Sequence, residues 1–348
     1  MGLYWEPCPG GARLLRLLGD TPCPAVPGTI EGLPVAELGP YCFADRPVRP
    51  GARRTGDDTH EITGNFVEEV TLPDTVRVLD SAAFYNCRRL RRLSVGAGDL
   101  TVGSDVFLNC FALADLLVRA APEEKTGLFA LVNNITEAVR ALFWLPGEAR
   151  PRAGLWYPAY WEDVEESPAH ILLHTFSGQG YHYRQCFLDG KILSAEYDAI
   201  FPDGHAAEDQ GVAAMLCFDR LRWPWNLTEK AKAPYREFLA AHTGLVLQRL
   251  LKAQDTDSIK DLLALDVLLL VLYRSSEHLS WSAILLHSGI SFVCVFLARS
   301  RGSVYQQIWR YGGIQSYIRL LITDGVAFFS VLMIEFLPPR FRLTKVIS

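Results

Sequence analysis

The sequence predicts an α+β protein made of four parts, and three observations support that prediction. The same side chains recur at a fixed spacing between residues 28 and 119, which indicates a short solenoid. Short aromatic and β-branched runs follow, typical of a small antiparallel β domain, and then a helical hairpin. Long apolar stretches indicate C-terminal transmembrane helices. The predicted segments are 1–126 for the solenoid, 127–205 for the β domain, 206–265 for the helical region and 266–348 for the apolar hairpin.

The solenoid prediction depends on a 23-residue period, the spacing between Asn86 and Asn109. An earlier copy, "LPVAELGPYCFAD", matches the next coil after one period plus an insertion at 46–63. Periods of about 20 to 29 residues are typical of leucine-rich repeats, in which each strand and its return turn form a coil that only neighbouring coils bury. The pairs separated by one period are Phe84/Phe107, Asn86/Asn109, Cys87/Cys110, Leu90/Leu113, Leu93/Leu116, Leu72/Val95 and Leu79/Val102.

The stretch "VEEVTLPDTVRVLDSAAFYNCRRLRRLSV" resembles one coil of the BspA-type bacterial leucine-rich repeat family. The resemblance covers about residues 28–119, although the first coil is interrupted and the third lacks the Leu-Pro turn. It implies a solenoid that offers its strand face to a protein or glycan partner. The alternative is a structural cap on the following domain, because so few coils make a small surface.

Composition limits the classes of partner and of chemistry. A net charge of -5 argues against nucleic acid as a partner. The eight cysteines include no C-x-x-C pair, so we predict buried thiols in a reducing compartment rather than disulfides or a metal site. Cys87 and Cys110 are expected to pack in the core of successive coils.

The arginine cluster in "FYNCRRLRRLSV" is the candidate binding site of the sequence. Guanidinium groups pair bidentately with carboxylates and phosphates, so this cluster suits an acidic partner. The alternative is a solvated outer face whose charge is balanced by Glu68, Glu69 and Asp74. The candidate binding residues are Arg88, Arg89, Arg91 and Arg92.

The runs "EAVRALFWL", "AGLWYPAYW", "AHILLHTF", "YHYRQCFL" and "KILSAEYDAI" are expected to be strands, with a tight type I′ turn at Asp189-Gly190. His170 and His174 have a helical metal-ligand spacing, but their surroundings have strand composition. We therefore favour exposed histidines over a metal site. No recognisable nucleophile context is present, so the sequence predicts a non-enzymatic protein with no catalytic residues, no cofactor and no resident metal.

Helical periodicity dominates residues 206–265. The first predicted helix stops at Pro224, the second begins after Thr228 as N-cap, and the third starts at Asp257 or Ser258. Such a helical hairpin is more typical of a docking element than of an enzyme core.

Two apolar runs, Trp281 to Ala298 and Ile318 to Leu337, predict membrane attachment through residues 281–337. The loop between them carries arginines and no acidic residue, which predicts that it faces the cytoplasm. The alternative is a buried core hairpin, because Asp324 and Glu335 are costly in lipid. The expected location is therefore the cytoplasm, with attachment to a bacterial inner membrane through the C-terminus.

Around "IWRYGG" the chain resembles the membrane anchor of CapD-type nucleotide-sugar dehydratases and epimerases of polysaccharide biosynthesis. This resemblance covers about residues 262–340, and the catalytic Rossmann part of that family is absent from the chain. The change in composition near Asp266 also suits a gene fusion or a shifted reading frame. Two functions follow: a membrane-tethered, non-catalytic interaction module, or an anchor fragment or regulator of a polysaccharide-biosynthesis enzyme system.

Overall fold

The computed structural model describes residues 2–166, 172–204 and 209–265. The chain divides into two units, Met1–Arg249 and Leu250–Ser348, and each is considered by itself. The predicted membrane spans, the "IWRYGG" motif and His170 lie outside the described residues. The four-part division of the chain stays a prediction.

Within the described ranges, the first unit contains one sheet of seven strands and one of five, and successive strands of the repeats alternate between them. The strands are β1 (Gly2–Cys8), β2 (Gly11–Leu18), β3 (Thr29–Ile30), β4 (Leu33–Leu38), β5 (Arg53–Thr55), β6 (Glu69–Thr71), β7 (Val78–Leu79), β8 (Arg92–Val95), β9 (Thr101–Val102), β10 (Asp115–Val118), β11 (Val139–Phe143) and β12 (Ala153–Tyr157). The first sheet has the order β5-β1-β2-β4-β7-β9, with β3 beside β4. The second sheet has the order β12-β11-β10-β8-β6.

The register of both sheets confirms the predicted period. In the second sheet Glu69 pairs with Arg92, and Arg92 pairs with Asp115, so parallel strands advance by one period at each step. In the first sheet β7 and β9 pair with the same offset. The earlier copy also aligns as predicted, since Leu38 pairs with Leu79 across the insertion. The insertion is accommodated outside this ladder, where its strand β5 pairs with β1.

The predicted core ladders are present between successive coils. The rings of Phe43 and Phe84 are stacked with centroids 5.0 Å apart, and those of Phe84 and Phe107 are 5.6 Å apart. The thiol of Cys87 donates to the carbonyl of Phe43 at 3.3 Å, and the thiol of Cys110 donates to that of Phe84 at 3.0 Å. Both thiols are free and buried, so these cysteines are packing residues, as expected.

Each return turn depends on left-handed backbone conformations that recur with the repeat. Tyr41, Ala82 and Asp105 occupy equivalent positions, with φ of 57°, 58° and 57°. Asn86 and Asn109 form a second equivalent set, with φ of 63° and 64°. Asparagine tolerates this conformation better than most residues. The two asparagines also bond to each other, since Nδ2 of Asn109 donates to Oδ1 of Asn86 at 2.7 Å.

A buried arginine, Arg16, forms hydrogen bonds to the first return turn of the solenoid. Between internal coils the amide of Asn86 donates to the carbonyl of Leu108 at 3.0 Å. The first-coil equivalent of Leu108 is Ala44, whose carbonyl accepts instead from Nη1 of Arg16 at 2.7 Å. Nη2 of Arg16 donates to the carbonyl of Arg46 at 2.5 Å. Arg16 therefore satisfies a carbonyl, that of Ala44, which a preceding coil would otherwise bond.

Both edges of the second sheet are covered. At the N-terminal edge the amide of Thr71 donates to the carbonyl of Pro24 at 3.0 Å, and the amide of Val26 donates to the carbonyl of Thr71 at 2.8 Å. At the other edge the Tyr197 hydroxyl accepts from the amide of Trp156 at 2.9 Å and donates to its carbonyl at 2.6 Å. Covered edges cannot recruit further strands, which limits aggregation.

The expectation of an antiparallel sheet over 127–205 is wrong for β11. This strand pairs in parallel with β10, with Asp115 opposite Arg140, and so extends the second sheet. Its offset from β10 is slightly longer than one period because a short helix, α1 (Leu128–Asn133), takes the place of a return strand. Only β12 runs antiparallel to its neighbour in this sheet.

Two predicted strands in the same region are partly helical. The "YHYRQCFL" and "KILSAEYDAI" runs contain α2 (Gly180–Arg184) and α3 (Ser194–Gly204). Tyr197 and Phe201 lie one helical turn apart and both are buried, so one face of α3 buries both rings. Antiparallel pairing is present in two hairpins, β13 (Trp161–Glu166) with β14 (Leu172–Ser177) and β15 (Phe187–Leu188) with β16 (Lys191–Ile192). The predicted turn at Asp189-Gly190 is confirmed, with φ of 50° and 77°.

The helices predicted after residue 206 are confirmed as α4 (Gln210–Arg222), α5 (Glu229–Ala253) and α6 (Thr256–Ala264). Thr228 caps α5 as predicted, since its hydroxyl accepts from the amide of Ala231 at 3.2 Å. The N-cap of α6 is Asp255, slightly earlier than expected. Helix α4 packs against β12 closely enough that a β-carbon at Gly154 would lie 2.7 Å from the ring of Trp223. Among the helices described, none combines the length and apolarity needed to cross a bilayer.

Candidate interaction surface

One row of side chains crosses the second sheet at a single register. Glu69, Arg92, Asp115 and Arg140 lie opposite one another on four neighbouring parallel strands, and Trp156 on β12 ends the row. We call the first four the charged row. Its members share one face of the sheet because they are paired across neighbouring strands, and their charges alternate in sign along the row.

Each member of the charged row pairs with its neighbours. Arg92 lies 3.4 Å from a carboxylate oxygen of Glu69 and 3.5 Å from one of Asp115. Arg140 lies 2.8 Å from Asp115. Exposed ion pairs contribute little to stability, about 0–1 kcal/mol each. The exposed end of the row, at Arg92 and Glu69, therefore has little structural value by itself.

The other end of the charged row leads to a buried carboxylate. Asp219 of α4 lies 3.5 Å from Arg140 and accepts a hydrogen bond from the indole of Trp156 at 2.7 Å. Burial raises the pKa of Asp219, and the charge of Arg140 and the indole hydrogen bond only partly oppose this. Burial would lower the pKa of Arg140, but Asp219 and Asp115 outweigh it and the net pKa is raised. Arg140 is therefore a fixed cation.

The predicted binding arginines lie beside this row and differ in their contacts. Arg89 and Arg91 both pair with Glu68, the latter at 2.6 Å. Arg92 belongs to the charged row itself. Arg88 is exposed, and none of the ion pairs among the described residues involves it. Balance by Glu68 and Glu69 is thus present, as the solvated-face alternative proposed.

Asp74 does not balance the arginine cluster as expected. Its carboxylate pairs with Arg119 at 2.8 Å. Arg119 also donates to the hydroxyl of Ser94 and to the carbonyl of Leu72, each at 2.5 Å. These bonds hold the loop after β6 to the neighbouring strands, which is a structural role.

Of the histidine pair considered as a metal site, only His174 lies within the described residues. His174 lies on β14, and its Nδ1 is 2.7 Å from a carboxylate oxygen of Glu162 on β13. No cluster of three or more metal-ligating side chains occurs in the ranges that the structure describes.

Sequence reasoning missed Asp115, Arg140, Trp156 and Asp219. Asp115 was detectable, since it lies one period after Arg92 at the same coil position. Arg140 follows Asp115 by slightly more than one period, so α1 hides it from a search at the fixed spacing. Asp219 enters from a helix, and no local pattern points to it.

The geometry defines a short solenoid of leucine-rich repeat type with a charged strand face. No known protein family matches the chain, and no curated protein matches it significantly. Among solved structures, a leucine-rich repeat protein of T. pallidum, TpLRR, is similar at 24% identity and a TM-score of 0.24. That match covers 36% of this chain and 63% of the other. The assignment of the solenoid therefore depends on the register and the stacked side chains of this chain.

Proposed function

We propose that this chain is a non-catalytic interaction module that binds a protein partner through the charged row and the adjacent arginines. The observation that carries the proposal is the exposure of Arg88, Arg89, Arg91 and Arg92 beside a row whose exposed pairs add little stability. Surface charge of this kind is typical of partner selection and orientation. The resemblance to BspA-type repeats also supports a strand-face binding mode.

The charges of this surface favour an acidic partner. Together the row and the cluster carry five arginines, namely Arg88, Arg89, Arg91, Arg92 and Arg140. Among the described residues they face four carboxylates, those of Glu68, Glu69, Asp115 and Asp219. The excess cation suits carboxylate side chains, which pair bidentately with guanidinium groups. An acidic protein segment fits better than a neutral glycan.

The test is affinity purification of the tagged full chain from its own cells, with quantitative mass spectrometry. Arg88→Glu with Arg89→Glu is compared with wild type and with a matched control, Lys230→Glu with Arg236→Glu on α5. We expect the double variant to lose at least one protein partner about tenfold, a change of about 1.4 kcal/mol in binding. Equal recovery of every protein by both variants would contradict the proposed face. Recovery of a glycan instead of a protein would contradict the partner class.

Attachment to the cytoplasmic face of a bacterial inner membrane through 281–337 belongs to the same proposal. It is supported by the two apolar runs and the arginine-rich loop of the sequence. Alkaline carbonate extraction of cell membranes tests it, since an inserted chain stays in the pellet and a peripheral one is released. Measurable affinity of the full chain for a nucleotide sugar would favour the alternative, a regulator of polysaccharide biosynthesis.

A further inference from the structure

The hairpin of β13 and β14 is a second surface, distinct from the charged row. Its strands pair from Trp161 opposite Ser177 to Glu166 opposite Leu172. Every residue of both strands is exposed. In the part of the chain that the structure describes, no third strand joins it.

This hairpin carries several exposed apolar side chains. Trp161 is 63% exposed and Leu172 is 60% exposed, and Val164, Leu173 and Phe176 are also exposed. A two-stranded hairpin alone is marginally stable in water, and an exposed apolar patch is typical of an interaction site. A third strand would cover part of this surface and stabilise the hairpin.

The base of the hairpin is fixed to the body of the first unit. Phe176 stacks on Tyr181 of α2 with centroids 4.3 Å apart. Tyr160, just before β13, is buried, and the guanidinium of Arg184 lies 4.7 Å from the centre of its ring. The strands are therefore presented from an ordered support.

The two strands differ in charge. Strand β13 carries the acidic residues Glu162, Asp163, Glu165 and Glu166, whereas β14 carries none. Glu162 pairs with His174 at 2.7 Å. Asp163 and Glu165 form no ion pair with the described residues. In a sheet, opposite charges directly across strands stabilise the pairing and like charges oppose it.

We propose that the free edge of β13 binds an extended strand of a protein partner with lysine or arginine opposite Glu162, Asp163 and Glu165. Main-chain hydrogen bonds would supply affinity, and the acidic side chains would select a basic strand. A second copy of β13 is rejected, because its carboxylates would face these. This site binds a basic partner and the charged row binds an acidic one. An experiment can therefore refute either proposal without affecting the other.

The probe for the test is a synthetic peptide of repeated Lys-Lys-Val, which can place lysine opposite Glu162, Asp163 and Glu165 in one register. It is labelled for fluorescence anisotropy and titrated into the full chain. We expect binding that weakens steeply with salt. A glutamate–valine peptide should not bind, and neither should a lysine peptide with proline at alternate positions, which cannot form the ladder. Glu162→Lys with Glu165→Lys should weaken binding at least tenfold, whereas Glu123→Lys with Glu124→Lys and Arg88→Glu with Arg89→Glu should not.

Hydrogen exchange locates the bound strand. Binding should protect the amides of residues 161–166 more than those of 172–177. Stronger protection of 172–177 would overturn the assignment of the edge, and equal binding of the proline peptide would overturn strand addition. Self-association of the full chain that the Glu162→Lys, Glu165→Lys variant strengthens would show a copy of the chain as the occupant. That result overturns the proposal.

Discussion

The ring of Phe84 lies almost parallel to the ring of Phe107, with 5.6 Å between centroids and 11° between planes. The two residues are one period apart, so this stack joins successive coils. Because each coil buries its apolar face only against its neighbours, the stack should carry much of the stability of the solenoid.

Phe84→Ala should therefore destabilise the protein strongly. Phe84 is fully buried between Phe43 and Phe107, and loss of a buried phenylalanine costs about 3–5 kcal/mol. The matched control is Phe111→Ala, since Phe111 is 64% exposed and should contribute little. Chemical denaturation followed by circular dichroism measures both. Equal midpoints for the two variants would contradict the stacked core.

An alanine variant is usually more stable than a glycine variant at the same position, and at Asn86 this order of stability should be reversed. Its φ of 63° costs alanine about 1–2 kcal/mol, whereas glycine adopts it freely. Both substitutions lose the hydrogen bond from Asn109, worth about 1 kcal/mol. Asn86→Ala should thus be less stable than Asn86→Gly in the same denaturation assay. The opposite order would be inconsistent with a left-handed residue in this turn.

The core thiols should resist alkylation in the native state. Burial raises the pKa of Cys42 and of Cys110 to about 12, so almost no thiolate exists at pH 8. Cys23 is exposed and serves as the internal control. Brief iodoacetamide treatment followed by peptide mapping should find Cys23 labelled, and Cys42 and Cys110 labelled only after denaturation. Labelling of Cys110 as fast as Cys23 would argue against its place in the ladder.

Asp219 should make stability fall as pH rises. Its pKa in the folded state is raised above the ordinary value of 3.8, so the folded protein holds a proton that the unfolded chain has lost. This contribution is complete below the ordinary pKa and disappears as pH rises through the raised one. As pH rises over this interval, the free energy of unfolding of Asp219→Asn should therefore increase relative to that of wild type. A difference that is flat, or that changes in the opposite direction, would show that burial does not dominate.

The repeat was predictable because its signal lies in side chains at fixed spacing. Phe84, Asn86 and Cys87 each recur one period later, and the physical need to stack them sets the register. The same reasoning covers Arg92 and, one period later, Asp115. The strand face of the solenoid could therefore be predicted from the sequence.

The remaining features depend on contacts that have no period. Arg16 precedes the recognised repeats, and its role appears only when the carbonyls of the first turn are seen to lack a preceding coil. Tyr197 lies in an aromatic run that resembles a strand, yet its hydroxyl closes the edge at Trp156. Composition favours strands there, and tertiary packing of the aromatic rings overrides it.

The central claim is that a constant advance of one repeat period places Arg92 and Asp115 side by side on one face of the second sheet. Neighbouring strands are about 4.8 Å apart, within the range that a disulfide bridges, whereas a residue two positions farther along is about 8 Å away. The direct measurement is oxidative cross-linking of Arg92→Cys with Asp115→Cys, compared with Arg92→Cys and Leu117→Cys, followed by peptide mapping. We predict a rapid disulfide in the first pair only. Faster cross-linking of the second pair, or no cross-link in the first, would contradict the register and the surface derived from it.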